Sequence, residues 1–363
     1  MAPTLATLRA AAYRTLAPQP DLQTALNQMG FLQADPIRAP ARAQDLTLMQ
    51  RVPGYRAGEL EARYAELEVE EDYFPNYGFV SRPVRGLLHP RAPRAARIEH
   101  DAPGLMERVL AHTQHTGELH PRMAGEVFGR TRVANNWGGG SNATTRALEA
   151  LHHAGHLRVV RREAGIKVFG PATVPANVLT QAERLRALVM VLARLYAPAS
   201  EPGLRLLVGL SHYGMPGLLA ELRAELKAAV NDGALTSAKV DGLSYLWPEG
   251  TELDSMSAAT SASGVRIVGP FDPLIWDRRR FEHLHGWTYR FEAYTPPARR
   301  VMGYYALPLF LADKAVGWAN LSVKGGELVS DIGLIPGLRR TAAFEKGLKA
   351  ELERYRRFLG LVI

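Results

Sequence analysis

Two stretches of this chain close in the same way, and that repetition limits what the chain can fold into. Gly155-His156-Leu157 and Gly233-Ala234-Leu235 each follow a helical run and open a pair of short apolar segments. Each pair turns near a glycine, Gly165 or Gly242, and finishes on a proline, in Phe169-Gly170-Pro171 and Leu246-Trp247-Pro248. Glycine just past a helix adopts the left-handed conformation that closes it, so Gly155 and Gly233 mark helix ends. Repetition of a whole supersecondary unit predicts tandem modules. Helices followed by a two-stranded ribbon make a winged helix, a relative of the helix-turn-helix.

The first copy is the easier to trace. A helix is expected over Leu105–Thr116 and a second from near Pro121. The loop Asn135-Asn136-Trp137-Gly138-Gly139-Gly140 then leads to Ser141-Asn142, good N-cap residues for a third helix through His153. Leu157–Arg162 and Ile166–Phe169 alternate as strands around Glu163-Ala164-Gly165, a hairpin turn. In a winged helix the third helix enters a groove, which would present Asn142, Thr144, Thr145 and Arg146. Arg158, Arg161, Arg162 and Lys167 make the wing basic. The second copy has helical runs over 181–196, 203–213 and 217–231, and a much less basic wing at Thr236-Ser237-Ala238-Lys239.

Charge agrees with a polyanionic partner. The chain carries 44 Lys+Arg against 36 Asp+Glu, a net +8. Most of the basic residues are arginines, whose forked guanidinium suits phosphate oxygens; a high-GC genome also enriches arginine and explains part of the excess. The absence of cysteine excludes disulfides, thiol nucleophiles, iron–sulfur clusters and cysteine zinc sites. At 363 residues the chain has room for two or three domains. No apolar run approaches the ~20 residues of a membrane span. Met1-Ala2-Pro3-Thr4-Leu5 lacks the basic flank and apolar core of a signal peptide. A cytoplasmic protein without a membrane partner is expected.

Before the first copy, residues 4–17 have helical spacing and stop at Pro18, and Asp21 can cap a helix running to Met29, closed by Gly30. Gln33-Ala34-Asp35 follows. One residue apart in an extended segment, Gln33 and Asp35 point to the same face. A helix is expected from Pro36 to about Gln50, ended by Pro53-Gly54, with Arg38 and Arg42 four residues apart on one face. An amide and a carboxylate on a rigid piece beside two arginines could activate water next to a phosphate backbone. The plainer alternatives are that Asp35 is an N-cap and Gln33 a surface amide. Residues 59–72 are acidic and read as a solvated helix face, or as a surface keeping DNA in register. Arg82, Arg85, His89, Arg91, Arg94 and Arg97 then form either an extended basic strip or a solvated linker.

After the second copy, the small-residue stretch 251–264 reads as a linker or mobile loop. Val265–Val268, Thr288–Tyr294, Gly303–Leu309, Lys314–Val323 and Glu327–Leu334 alternate as strands, and five strands with short connections favour a small barrel. A closing helix is expected over Thr341–Leu359. Asp272, Asp277 and Arg278 could touch DNA or form an internal salt bridge. His152, His153, His156, His283 and His285 lack a carboxylate at ligand spacing; they read as surface or groove-lining residues, and no metal or other cofactor is expected. Trp137 reads as core or groove wall, and Gly138-Gly139-Gly140 lacks the Lys-Ser/Thr of a phosphate loop. The whole is an α+β chain: a first winged-helix-like unit (1–100), tandem winged helices (101–175 and 176–250), a linker (251–264), and a small C-terminal β-barrel with its helix (265–363).

Several blocks in this order resemble the AlkZ/AlkX (YcaQ-like) family of bacterial winged-helix DNA glycosylases. They are Leu32-Gln33-Ala34-Asp35-Pro36-Ile37, then Ala41-Arg42-Ala43 and Leu48–Arg51, then Trp137–Leu157. Further blocks are Pro270-Phe271-Asp272-Pro273-Leu274-Ile275-Trp276-Asp277-Arg278, Tyr289–Tyr294 and Gly303–Pro308. The resemblance implies an enzyme that releases alkylated bases, of the N7-alkylpurine type and related adducts, bulky or crosslinked ones included, from double-stranded DNA; with no candidate lysine nucleophile, a monofunctional enzyme is expected. It makes Gln33 and Asp35 the catalytic Gln-x-Asp pair. Two places depart from the family pattern: Gly317-Trp318-Ala319-Asn320 stands where many members have Gly-Arg-x-Asp, and Gln44-Asp45 where many have a histidine pair.

An N7-alkylated purine is cationic and its glycosidic bond already weak, so a carboxylate that stabilises an oxocarbenium-like sugar and activates water suffices. Asp35 takes that role and Gln33 orients the water. The adduct stays in the groove or is flipped into a pocket. Expected DNA contacts are Arg38, Arg42, Arg51, Arg82, Arg85, Arg91, Asn142, Thr144, Thr145, Arg146, Arg161, Arg162, Lys167 and Arg278. A glycosylase should bind as a monomer with strong salt dependence. The rivals are a dimeric winged-helix regulator with a ligand-sensing barrel and a structural DNA-binding protein.

Overall fold

The computed structural model describes residues 2–91, 96–134, 139–173, 178–253 and 264–361. Helix α1 (Leu5–Tyr13) is followed by α2 (Leu22–Met29), which starts where the Asp21 carboxylate accepts the Thr24 N–H at 2.8 Å. It ends at Gly30, whose φ of +67° and tight packing against Val84 and Val191 require glycine. Strand β1 (Phe31–Gln33) leads to α3 (Ala43–Arg51). The helix expected from Pro36 therefore begins seven residues late. Pro40 has no N–H to donate to the carbonyl of residue 36, and the Asp35 carboxylate takes the Ile37 N–H at 2.9 Å in a local turn. Arg38 lies in this irregular stretch and Arg42 is the residue preceding α3, so they share no helix face.

The acidic run also differs from expectation. After the short α4 (Glu59–Ala62) it becomes strand β2 (Val69–Tyr73), which pairs with β3 (Tyr77–Ser81) in an antiparallel sheet of order β1-β3-β2. Glu70, Glu71 and Asp72 are buried rather than solvated, because arginines from later elements neutralise them. Gly78 faces Gln33 across the sheet, and a Cβ there would lie 2.3 Å from the Leu32 carbonyl oxygen. Helix α5 (Arg82–Leu88) occupies the start of the expected extended basic strip; Arg94 lies outside the described residues.

Next come α6 (Arg97–Asp101), α7 (Leu105–Thr116), α8 (Pro121–Phe128), a small hairpin of β4 (Arg132–Ala134) and β5 (Gly140–Asn142), and α9 (Ala143–Ala154). Asn142 caps α9 by accepting the Thr144 N–H at 3.0 Å. Strands β6 (Leu157–Glu163) and β7 (Ile166–Pro171) turn through Ala164 and Gly165. Trp137 falls outside the described residues. The following unit comprises α10 (Gln181–Leu195), β8 (Ala199–Ser200), α11 (Glu201–Leu210), α12 (Leu219–Asn231), β9 (Leu235–Val240) and β10 (Leu243–Pro248). Its sheet runs β8-β10-β9. The hairpin turns of the two units fall at Ala164-Gly165 and Asp241-Gly242, all at positive φ. Residues 254–263 of the expected linker lie outside the described residues.

The last part holds β11 (Val265–Ile267), α13 (Pro273–Trp276), α14 (Arg278–His285), β12 (Leu307–Leu311), β13 (Lys314–Lys324), β14 (Glu327–Leu334) and α15 (Ala342–Phe358). Four antiparallel strands in the order β11-β12-β13-β14 form a half-barrel sheet, not a closed five-stranded barrel. Thr288–Tyr294, expected as a strand, is irregular. There the Glu292 carboxylate captures the Val301 and Met302 N–H groups at 2.9 and 2.7 Å, so a side chain replaces the neighbouring strand. Helix α1 joins this end of the molecule: Leu8 and Tyr13 share a buried cluster with Phe281 and Phe310, and Arg9 pairs with Asp313 at 2.8 Å. A second, larger core runs from α2 and β1 through α10 to α15. Among the described residues no helix is long and apolar enough to cross a membrane.

Candidate active site

Gln33 ends β1 where the sheet meets α13. Its side-chain Oε1 accepts the Trp276 indole N–H at 3.1 Å and the Asn76 Nδ2–H at 3.3 Å. Asn76 sits in the turn between β2 and β3, so two distant parts of the chain converge on one amide. Asp35, two residues on, is half-buried. No helix starts behind it, which removes the helix-cap alternative; its carboxylate closes the turn to Ile37 instead. Desolvation raises the Asp35 carboxyl above its ordinary value and the Ile37 N–H partly opposes this. Among the described residues no cation pairs with it.

Aromatic residues stand nearby. The Tyr305 ring lies 5.2 Å from Phe291 and 6.5 Å from Phe271. Its hydroxyl is buried without a hydrogen-bond partner among the described residues. Burial, and then the Asp35 charge, push the phenol far up, so it stays protonated. Phe291 packs on Tyr294, which is 84% exposed and carries the aromatic path out to solvent.

The expected DNA contacts divide into two groups. Arg38 and Arg82 are exposed, Arg82 with Glu68 at 3.7 Å, and Thr145 and Arg146 are partly exposed on α9. Arg161 faces outward but pairs with Glu118 and Glu163, and Arg42 pairs with Glu61. The others are engaged by groups within the protein. Arg51, 3% exposed, makes a two-pronged pair with Asp272 at 2.6 and 3.0 Å. Arg91 binds Asp72 at 2.7 Å and the Gly214 carbonyl at 2.6 Å, and Arg85 is buried. Arg162 grips Glu71, its Nε at 2.8 Å, and Lys167 lies over the Tyr77 ring, where desolvation lowers its ammonium. Asn142 and Thr144 satisfy each other at the helix cap. Arg278 donates to the Ile275 and Pro270 carbonyls and stacks on Tyr289. Apart from the local Asn142–Thr144 pair, each is claimed by a carboxylate, carbonyl or ring that a short motif cannot reveal.

The internal salt-bridge reading of Asp272 is the observed one. Asp277 caps α14 through the Arg280 N–H and accepts the Ser200 hydroxyl. His152 is buried against the Glu71 carbonyl at 2.8 Å, and His285 accepts the Ala315 N–H at 3.2 Å, so neither is a surface residue. Among the described residues no three metal-ligating side chains gather. Gln44 turns its amide oxygen towards the Asp35 N–H at a long 3.5 Å, and Asp45 accepts the Tyr55 hydroxyl at 2.7 Å. Asn320 donates to the Met302 carbonyl at 2.7 Å. Trp276, Asn76 and Tyr305 were not anticipated as site residues. Trp276 and Tyr305 lay inside distinctive blocks, whereas Asn76 offered only a turn-forming asparagine after proline.

The family model described as DNA glycosylase AlkZ-like matches residues 26–358 of the chain. Among solved structures, the fold is similar to that of the Streptomyces sahachiroi DNA glycosylase AlkZ, with a TM-score of 0.63 and 14% sequence identity. That likeness covers 99% of this chain and 98% of the Streptomyces chain.

Proposed function

Because this chain belongs to the AlkZ-like family of DNA glycosylases, which act on damaged DNA, we propose that it is a monofunctional enzyme removing N7-alkylated purines from duplex DNA, with Asp35 and Gln33 at its centre. The observation that carries the reading is the pair itself: a half-buried carboxylate without a cationic partner among the described residues, beside an amide anchored from two directions. A carboxylate that no cation neutralises keeps its charge for a positive sugar.

In the proposed step the C1′–N9 bond breaks with its electron pair passing to the purine, which neutralises the alkylated ring. Water adds to C1′ and gives its proton to Asp35. The low-dielectric surroundings that raise the Asp35 carboxyl also strengthen its attraction for the oxocarbenium-like sugar. Gln33 holds the water in line. The product is a free base and an abasic site.

The two hairpin-closed helical units are read as winged helices, at 101–175 and 176–250, with 1–100 preceding them and 265–363 after the linker 251–264. Support comes from the order of three helices, then two antiparallel strands, and from turns at matching places. Phosphate contact is assigned to Arg38, Arg82, Thr145 and Arg146, which keep surface exposure. The enzyme is taken to act as a monomer.

The test is release of 7-methylguanine from duplex DNA by wild type, Asp35→Asn and Gln33→Ala. Abasic sites from wild type, lost in Asp35→Asn while DNA binding persists, support the reading. Tight binding with no release from this substrate or a bulkier N7 adduct overturns it in favour of a binding protein.

A further inference from the structure

The amide of Gln33 can be oriented without ambiguity. An indole N–H is only a donor, so the Gln33 atom 3.1 Å from Trp276 Nε1 must be the oxygen. The Asn76 amide nitrogen donates to the same oxygen at 3.3 Å, and the Asn76 NH₂ has no acceptor capacity of its own. Two donors from distant parts of the sequence therefore occupy both lone pairs of Oε1. The Gln33 NH₂ is left as the group available to a reactant.

We infer that Trp276 and Asn76 are positioning residues that lock Gln33 as a hydrogen-bond donor, so that Gln33 can hold the attacking water by a lone pair and cannot take its proton. This rests on the glycosylase reading and sharpens it. A water molecule has two lone pairs and two protons. One lone pair attacks C1′, the other accepts the Gln33 N–H, and one proton goes to Asp35. Asp35 is then the proton acceptor of the step, and the pair divides the work by polarity.

Single-turnover release of 7-methylguanine by the full chain, with duplex affinity measured alongside, tests the lock. Gln33→Glu keeps an acceptor for Trp276 and Asn76 but removes the donor. It should slow release about 100-fold, the scale seen when one preorganised donor is lost. Trp276→Phe and Asn76→Asp should each slow release about tenfold with affinity nearly unchanged, by freeing or reversing the amide. The deciding measurement is a double-mutant cycle: Trp276→Phe should add nothing in a Gln33→Ala background. Equal losses in both backgrounds would mean that Trp276 only supports the fold, and would overturn the inference, as would a fully active Gln33→Glu.

A second readout needs no activity. The Trp276 indole ¹⁵N–H resonance, assigned by its loss in Trp276→Phe, should move in Gln33→Ala. An unmoved resonance overturns the lock even in an active enzyme. If wild type releases no base, the functional reading fails, and the indole resonance alone decides the lock.

Discussion

At Asp35, desolvation raises the carboxyl and the Ile37 N–H lowers it, with desolvation the larger of the two. A carboxyl whose folded pKa lies above the unfolded one binds more protons in the native state, so its contribution to stability falls as pH rises through that folded pKa. At neutral pH the ionised Asp35 thus weighs against the fold. Asp35→Asn should raise the thermal midpoint while lowering base release by about 10²–10⁴-fold, the usual contribution of a positioned acid–base group. The same shift sets the pH dependence. Release should fall with acid through a limb displaced above the ordinary carboxylate range, and a limb at or below that range would count against Asp35 as base. Gln33 and Asp35 stand out in the sequence because they are one residue apart in a short motif. Trp276 does not, because it reaches Gln33 across 243 residues of sequence.

Strand β2 shows how an element's context inverts its local signal. Its carboxylates read as a solvated face, yet Glu70 binds Arg158 at 2.8 Å, Glu71 binds Arg162, and Asp72 binds both His89 and Arg91. The same pairing withdraws arginines that composition assigns to DNA. Burial raises the Asp72 carboxyl, but the Arg91 charge and the His89 hydrogen bond outweigh it and hold it far below the ordinary range. Stability from Asp72 is therefore present above the unfolded pKa and lost only in strong acid. Asp72→Ala, which leaves Arg91 buried without its carboxylate, should cost about 3–5 kcal/mol by denaturant titration. His152 acts in the same direction. Desolvation lowers its imidazole to about 4, so stability should decline as pH falls from about 6.5 through 4. In His152→Gln the thermal midpoint should lose part of its slope across that window. Helices α2, α7, α9 and α15 were readable because caps and periodicity act within a few residues. The late start of α3 and the irregular 288–294 were not, since the Asp35 carboxylate takes the Ile37 N–H in one place and the Glu292 carboxylate the Val301 and Met302 N–H groups in the other.

Across the molecule, the net charge of +8 overstates the surface available to DNA, because many arginines are committed to internal carboxylates. Arg38→Ala and Arg82→Ala should each reduce the salt dependence of duplex binding by about one phosphate. Arg162→Ala should leave that slope unchanged and lower the thermal midpoint. The sequence shows the order of the central helices and hairpins, but not that α1 belongs with the far end, because that contact is a matter of packing rather than pattern. Arg9 and its partner Asp313 are 304 residues apart. At a synthesis rate of roughly 5–20 residues per second, α1 leaves the ribosome about 15–60 s before the surface that receives it. For that interval Leu8 and Tyr13 have no native neighbours from α14 or β12, while the hairpin-closed units in between can fold first. Seating α1 is thus a late event in the birth of each molecule.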